Sequence, residues 1–240
     1  MSKGLLISFE GLDGAGKTTQ MDLLEAWLKE RHVPYVRTRE PGGTPLGIHI
    51  RDLLLNHPEL GITPLAEAFL FQADRAQHFA EVILPALEEG KLVVTDRCFD
   101  ASIAYQGYAR GVGTKLVEEL SMLATQGHKP DLTILLDMNS EQVHTRVGMA
   151  HEAVLPSSEA ALHSNGLREQ QDRFESEAEK FHQLVRKGFL DLAEANPDRI
   201  QVIDASGSIT EVHKKIVELV SLLLKAHHLQ SFQSNAVQET

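Results

Sequence analysis

The sequence predicts an α/β fold, a three-layer α/β/α arrangement with a parallel sheet between helices. Two observations carry this. Three compact runs rich in Val, Ile and Leu, at 5–9, 92–95 and 132–136, each end in a charged or glycine-rich turn. Continuous apolar runs of that length are strands buried on both faces, as in a parallel sheet. Helical patterns lie between them, and strands alternating with helices form crossovers that cover both faces.

Taken in order, the strand at 5–9 leads through Glu10 into a glycine-rich turn. A helix at 18–29 follows, with Met21, Leu24 and Leu28 on one face. A weaker strand candidate spans 33–38. A long helical pattern at 63–90 is interrupted near Pro85, and the strand at 92–95 comes next. Another helix is predicted at 115–124, before the strand at 132–136. A helix at 174–195, a weaker strand at 200–203 and a helix at 209–225 complete the set. Residues 150–166 are polar and mixed, with a turn at 156–158, and predict a mobile surface segment. Residues 227–240 lack apolar periodicity and predict a frayed end. With no internal repeat and no linker, residues 1–226 read as one domain.

Composition narrows the function. The chain has 240 residues, 42% hydrophobic and 24% charged, enough for one domain with a substantial core. The formal net charge is -11 and no Lys/Arg run could track a nucleic-acid backbone, so nucleic acid is not an expected partner. An acidic surface repels polyphosphates at long range, so any anion site must be built locally. Cys98 is the only cysteine, which excludes an intrachain disulfide and a multi-thiolate metal site. The 12 histidines show no metal-ligand spacing. The apolar run in MSKGLLISFEG is too short for a signal-peptide core and no stretch reaches transmembrane length. A cytoplasmic protein is expected, with no membrane partner.

The segment GLDGAGKT fits G-x-x-x-x-G-K-[ST] and comprises Gly11, Leu12, Asp13, Gly14, Ala15, Gly16, Lys17 and Thr18. Its glycines let successive N–H groups converge on phosphate oxygens, and the following helix presents its positive end to the same anion. Lys17 is placed to reach the β- and γ-phosphates and the Thr18 hydroxyl to ligate Mg²⁺, with Thr19 a further candidate nucleotide contact. GTPases, motor ATPases, transporters and kinases all use such a cradle. Asp96 and Arg97 end a buried strand, where a parallel sheet carries its site. Asp96 could hold the Mg²⁺ shell and Arg97 could clamp phosphate, the alternative being an ion pair that caps the strand.

With these residues in view, the sequence resembles the thymidylate kinases over about 5–224. The resemblance rests on FEGLDGAGKTTQ (9–20), TREPGGTPLG (38–47), LFQADRAQH (70–78), DRCFDASIAYQG (96–107) and DRFESE (172–177). It implies a P-loop kinase fold with a five-stranded parallel sheet and a helical lid segment at about 141–175. It implies a homodimer that makes dTDP from dTMP and ATP with Mg²⁺. By position, Phe71 would stack on thymine, Arg75 donate to its 4-carbonyl, and Ser102 and Gln106 meet the base edge. Tyr105 would lie under the sugar, Asp13 meet the 3′-hydroxyl, and Arg39, Arg51 and Arg97 gather around the acceptor phosphate. Ser206 would lie near adenine, and Glu175 with Phe174 near the acceptor sugar.

Each has a plainer reading. Phe71 and Tyr105 lie in helical patterns where aromatics fill cores, and Arg51 could be an exposed helix charge. Gln106–Gly107 could end a helix, residues 40–44 could be a mere turn, and Ser206 or Ser208 could cap a helix. Glu175 and Phe174 could lie on a helix surface. The lid departs from the bacterial pattern, because no arginine lies between Arg146 and Arg168. The acidic Asp13 leaves no arginine in the cradle to compensate. Arg168 is the preferred lid charge, and both arginines could be solvated helix charges. A P-loop kinase acting on another nucleotide or a small alcohol stays open. A GTPase-like switch is disfavoured, since no N-K-x-D segment occurs.

Overall fold

The computed structural model describes residues 3–139, 142–143 and 165–238, with side chains for 3–139, 142–143 and 179–227. The elements run β1 (Leu5–Glu10), α1 (Lys17–Glu30), β2 (Tyr35–Arg39), α2 (Pro45–Asn56), α3 (Pro64–His78), α4 (Leu84–Glu88) and β3 (Leu92–Asp96). They continue with α5 (Phe99–Ser102), α6 (Thr114–Ala124), β4 (Leu132–Asp137), α7 (Asn165–Ala195), β5 (Ile200–Asp204) and α8 (Ile209–Gln238). The strands form one five-stranded sheet, entirely parallel, in the order β2-β3-β1-β4-β5.

Alternation along β1 builds the three layers. Leu5, Ile7 and Phe9 pack with Met21, Leu24 and Leu28 of α1 and with Val212, Ile216 and Val220 of α8. Leu6 joins the other face with Phe79, Ile83, Val93, Phe99 and Val117. Successive strand side chains point to opposite faces, so one apolar strand supplies two cores. The central strand, β1, is buried along its whole length, whereas the edge strands β2 and β5 are only partly buried. This explains their weaker sequence signal.

Register aligns the carboxyl ends: Phe9 and Arg39 both lie level with Asp96, and Asp137 lies level with Asp204. The strand order reverses beside β1, the switch point where open α/β sheets hold ligands. Just behind this edge, Arg199 donates to both carboxylate oxygens of Asp100 at 2.6 and 2.8 Å, and Thr133 Oγ1 joins them. That partly buried bidentate pair anchors the start of α5, two residues after Arg97.

Several predicted boundaries move. Helix α2, expected only as the alternative setting for Arg51, has ordinary start signals: Thr44 accepts from Gly47 N at 3.0 Å and Pro45 opens the first turn. The interruption in 63–90 is a π-helical turn at Phe79–Ile83, with Pro85 in the first turn of α4. Proline needs no donor there, so the widened turn precedes it. Helix α7 begins at Asn165, earlier than the predicted 174. Instead of ending at 225, α8 stays helical to Gln238; no Gly or Pro interrupts 209–238. Residues 150–164, most of the expected mobile segment, lie outside the described residues.

Candidate active site

After β1 the chain turns at Gly11 with φ 130°, where a Cβ would lie 2.4 Å from the Leu136 carbonyl oxygen, so only glycine fits. Gly14 and Gly16 also have positive φ, and α1 starts at once with Lys17. Residues 13–20 wrap a cavity of about 1050 Å³, open to the positive end of α1. Lys17 Nζ donates to the carbonyls of Gly11 (3.2 Å) and Leu12 (3.1 Å) and lies 3.6 Å from Asp13 Oδ1. Burial first, and the Arg97 charge second, bring the Lys17 ammonium down to about 8.

Arg97 sits where β3 ends, in the left-handed region at φ 70°, a costly conformation for a residue with a side chain. Its N–H donates to Phe9 O at 2.9 Å. Its Nη2 donates to Asp13 Oδ1 (2.8 Å) and to the Tyr105 hydroxyl (3.2 Å), and its guanidinium lies 5.0 Å from the Tyr105 ring centre. Nη1 is buried with no hydrogen-bond partner among the described residues, 3.9 Å from Glu10 Oε2. Asp96 Oδ1 is likewise buried and unpartnered. Although burial alone would raise it, the neighbouring Arg97 and Lys17 hold the Asp13 carboxyl down at about 2.

A second cleft, about 270 Å³, lies beyond Arg97 and is lined by Phe71, Arg75, Ser102, Tyr105 and Gln106. The two spaces share Asp13, Glu40, Arg51 and Arg97. Tyr105 and Gln106 come from a π-helical stretch, Ile103–Ala109, of the kind found at functional sites. Tyr105 meets Phe181 and Phe189 edge-on, with ring centres 6.2 and 6.1 Å apart. Arg75 is fully buried: Nε donates to Glu40 Oε2 (2.8 Å), Nη1 to Gln72 Oε1 (2.8 Å), and Nη2 to Ser102 Oγ (3.0 Å) and Cys98 O (3.3 Å). Glu40, Asp74 and His78 together hold the loop at 40–44. His78 reaches Glu40 and Thr38, Asp74 Oδ1 accepts from Gly42 N, and Arg51 donates to Pro41 O at 3.0 Å. The Glu40–Pro41 peptide is cis.

The structure therefore gathers most of the predicted residues. Gly14 to Thr19, Arg39 and Asp96 line the loop cavity, and Arg51 borders both spaces. Gly11 and Leu12 hold Lys17 from behind rather than lining the cavity. Ser206 is turned to Asp204, with its Oγ 2.6 Å from Oδ1, while Ala205, Gly207 and Ser208 form the wall. Ser208 and Glu211 make a capping box at the start of α8. The side chains of Arg168, Phe174 and Glu175, and all of Arg146, lie outside the described residues.

Sequence reasoning assigned no role to Glu10, Glu67, Asp74 or His78. Glu10 carried a signal, a carboxyl ending a strand buried on both faces. Its Oε1 accepts from Cys98 N at 2.8 Å. Burial, against the pull of Arg97, pushes its carboxyl from 4.5 to about 8. Between those pH values the folded protein binds a proton that the unfolded chain has released, so stability falls as pH rises across the window. Glu10→Gln keeps an acceptor for Cys98 and removes the titration. Thermal melts from pH 4.5 to 8 are expected to show the variant gaining on wild type as pH rises; parallel curves would contradict the burial argument.

A cavity at a glycine-rich phosphate-loop motif and a second cleft that share Arg51 and Arg97, on the carboxyl edge of a parallel sheet, define a P-loop kinase that passes a phosphoryl group between bound compounds. Known proteins narrow the class. The family model described as thymidylate kinase matches residues 9–216. The thymidylate kinase of Symbiobacterium thermophilum is 44% identical over 220 residues, 92% of this chain and 94% of that one. That of Bifidobacterium longum subsp. infantis is 46% identical over 225 residues, 92% and 88% of the two chains. The crystal structure of thymidylate kinase from Ehrlichia chaffeensis superposes with a TM-score of 0.66 at 33% identity, covering 91% of this chain and 99% of that one. The chain belongs to the thymidylate kinase family. Among the described residues no helix is long and apolar enough to cross a membrane.

Proposed function

We propose that the protein transfers the γ-phosphoryl group of Mg-ATP to dTMP, giving dTDP and ADP. The observation that carries this is the sharing of Asp13, Glu40, Arg51 and Arg97 by the loop cavity and the acceptor cleft. ATP enters over the cradle, held by the backbone of 11–18, Lys17 and Thr19, with the 205–208 turn near adenine. The acceptor phosphate enters between Arg39, Arg51 and Arg97. Its oxygen is already a nucleophile at neutral pH, so no general base is required. Catalysis consists of aligning two anions and neutralising the charge between them. Lys17 leaves its own loop carbonyls for the β- and γ-phosphates, and Arg97 exchanges Asp13 for phosphate. Asp13, so released, is free to accept from the sugar 3′-hydroxyl.

The residues present fit a magnesium ion. Thr18 and Asp96 border the same cavity, and Asp96 Oδ1 is buried without a partner among the described residues. Such an ion takes few protein ligands and completes its shell with phosphate oxygens and water. When bound, it screens the charge of the transferring phosphates.

In the acceptor cleft, Phe71 stacks on thymine and Tyr105 closes the sugar side. Arg75 Nη2 and Ser102 meet the 4-carbonyl. The longer 3.3 Å contact to Cys98 O is the one a base carbonyl competes with. Cytosine presents an amino group there, so donors would oppose donors, a mismatch that such sites reject by roughly 10⁴-fold or more. Arg168, in the lid segment at about 141–175, supplies the remaining positive charge, and Glu175 lies toward the acceptor sugar. A homodimer is supported by exposed apolar side chains on neighbouring helices, Ile48 and Leu55 of α2, Leu65 and Phe69 of α3, and Leu123 of α6. The expected compartment is the cytoplasm.

An ADP-release assay over all nucleoside monophosphates tests this reading. dTMP is expected to be the best acceptor, and Arg75→Ala to raise its KM strongly while leaving the KM for ATP in place. Equal or better turnover of CMP or AMP by the wild type overturns it.

A further inference from the structure

Gln106 lines the acceptor cleft with its side chain almost entirely buried. An amide in such a place reads a ligand with either of two opposite faces, depending on which way it is turned. Here the turn is decided by a neighbour. Gln106 Nε2 donates to Glu67 Oε1 at 2.8 Å, and a carboxylate only accepts, so the reversed amide would set oxygen against oxygen. Glu67 is in turn held from its other side. Arg110 Nη2 lies 3.4 Å from Glu67 Oε2, and the Arg110 guanidinium stacks 4.7 Å from the centre of the Phe181 ring. No described residue donates to Gln106 Oε1. The amide therefore offers the cleft an acceptor, fixed by a chain running from Phe181 through Arg110 and Glu67.

We infer that Glu67 is a positioning residue for base selectivity: by turning the Gln106 amide, it makes the cleft accept a ring N–H beside a carbonyl. This rests on the proposed dTMP reaction and adds a second check on the base. Thymine carries a hydrogen on N3 next to its 4-carbonyl, whereas cytosine carries a bare lone pair there. Arg75 and Ser102 read the carbonyl, and Gln106 Oε1 reads the N–H. A base must satisfy both, and sites built on such pairs discriminate far more sharply than apolar ones.

The test compares wild type, Glu67→Gln, Gln106→Ala and the double variant in steady-state kinetics with dTMP and dCMP. A glutamine at 67 donates as well as accepts, so it no longer dictates the turn of Gln106. Glu67→Gln is expected to raise the KM for dTMP and to lower the dTMP-over-dCMP preference by about tenfold or more. The KM for ATP should stay within about twofold, since Glu67 does not border the loop cavity. In the Gln106→Ala background the Glu67 change should add nothing, because the group it turns is gone. Unaltered preference in Glu67→Gln overturns the inference, and so does an equal fall in preference in both backgrounds. Should Glu67→Gln not fold, Glu67→Asp keeps the charge for Arg110, shortens the reach to Gln106 and carries the same expectation. A wild type inactive on dTMP overturns the functional reading itself. Activity on dTMP with selectivity untouched by Glu67 overturns the Glu67 assignment alone.

Discussion

Replacement of Arg97 by alanine is expected to lower kcat/KM for dTMP by about 10³-fold or more, the scale of one arginine aimed at a transferring phosphoryl group. Three features single this residue out. It borders both cavities, its Nη1 is buried without a partner among the described residues, and its backbone holds φ 70°. A strained conformation in a non-glycine residue persists only where the surroundings impose it. Here β3 ends level with Phe9, and the Arg97 N–H bonds back to the Phe9 carbonyl at 2.9 Å. Removing the side chain also takes the arginine partner from the exposed Asp13, which accepts from Nη2 at 2.8 Å. A bare carboxylate would then face two incoming phosphates. Arg97→Lys keeps a charge but loses the fork, so only part of the rate should return. Asp13→Asn placed on Arg97→Ala relieves that repulsion but also gives up the carboxylate that takes the 3′-hydroxyl, so it should restore less than Arg97→Lys does. Steady-state kinetics at saturating ATP measure all three, and a loss below tenfold for Arg97→Ala would rule out its place between the phosphates.

The second large effect is expected at Lys17. Lys17→Ala should lower kcat/KM for ATP by about 10³-fold or more, because nothing else in the loop carries a cation to the β- and γ-phosphates. The fold should survive. Burial brings the folded-state ammonium down from 10.5 to about 8. Between these values the unfolded chain binds the extra proton. The penalty on folding is therefore complete below pH 8 and fades as pH climbs toward 10.5. Removing the side chain lifts that penalty, so at pH 7 the thermal midpoint should hold or rise while activity collapses. In the wild type the same shift makes ATP affinity fall as pH passes about 8, since the bound phosphates need the charged form. Calorimetric titration from pH 7 to 9.5 should show that decline in the wild type and none in Lys17→Ala. A pH-independent wild type would contradict it.

The strands at 5–9, 92–95 and 132–136 were readable because the sheet is covered on both sides, which makes each an unbroken apolar run. The edge strands β2 and β5, partly buried, left fainter traces. Helix α2 showed only as a possible setting for Arg51, although Thr44–Pro45 marks its start; its exposed Leu46, Ile48 and Leu55 blur the apolar stripe that would have bounded it. The cradle was legible for a different reason. Its function is local, a run of consecutive amides followed by a lysine. Phe71, Arg75, Ser102, Tyr105 and Gln106 came from family wording, since helical periodicity alone treats them as core. Glu10, Glu67 and Asp74 were not read as site residues, because their roles depend on partners distant in the chain.

What the sequence determined by itself was the set of buried strands, the phosphate-binding loop and the family. Tertiary structure alone decided that Arg97 meets Asp13 across 84 residues and Arg75 meets Glu40 across 35. It also decided that Glu67 turns the amide of Gln106. The physical reason is strand order. Local pattern says that a segment is a strand with two buried faces, but not which strand lies beside it, and here that neighbour places the guanidinium at the border of the two cavities.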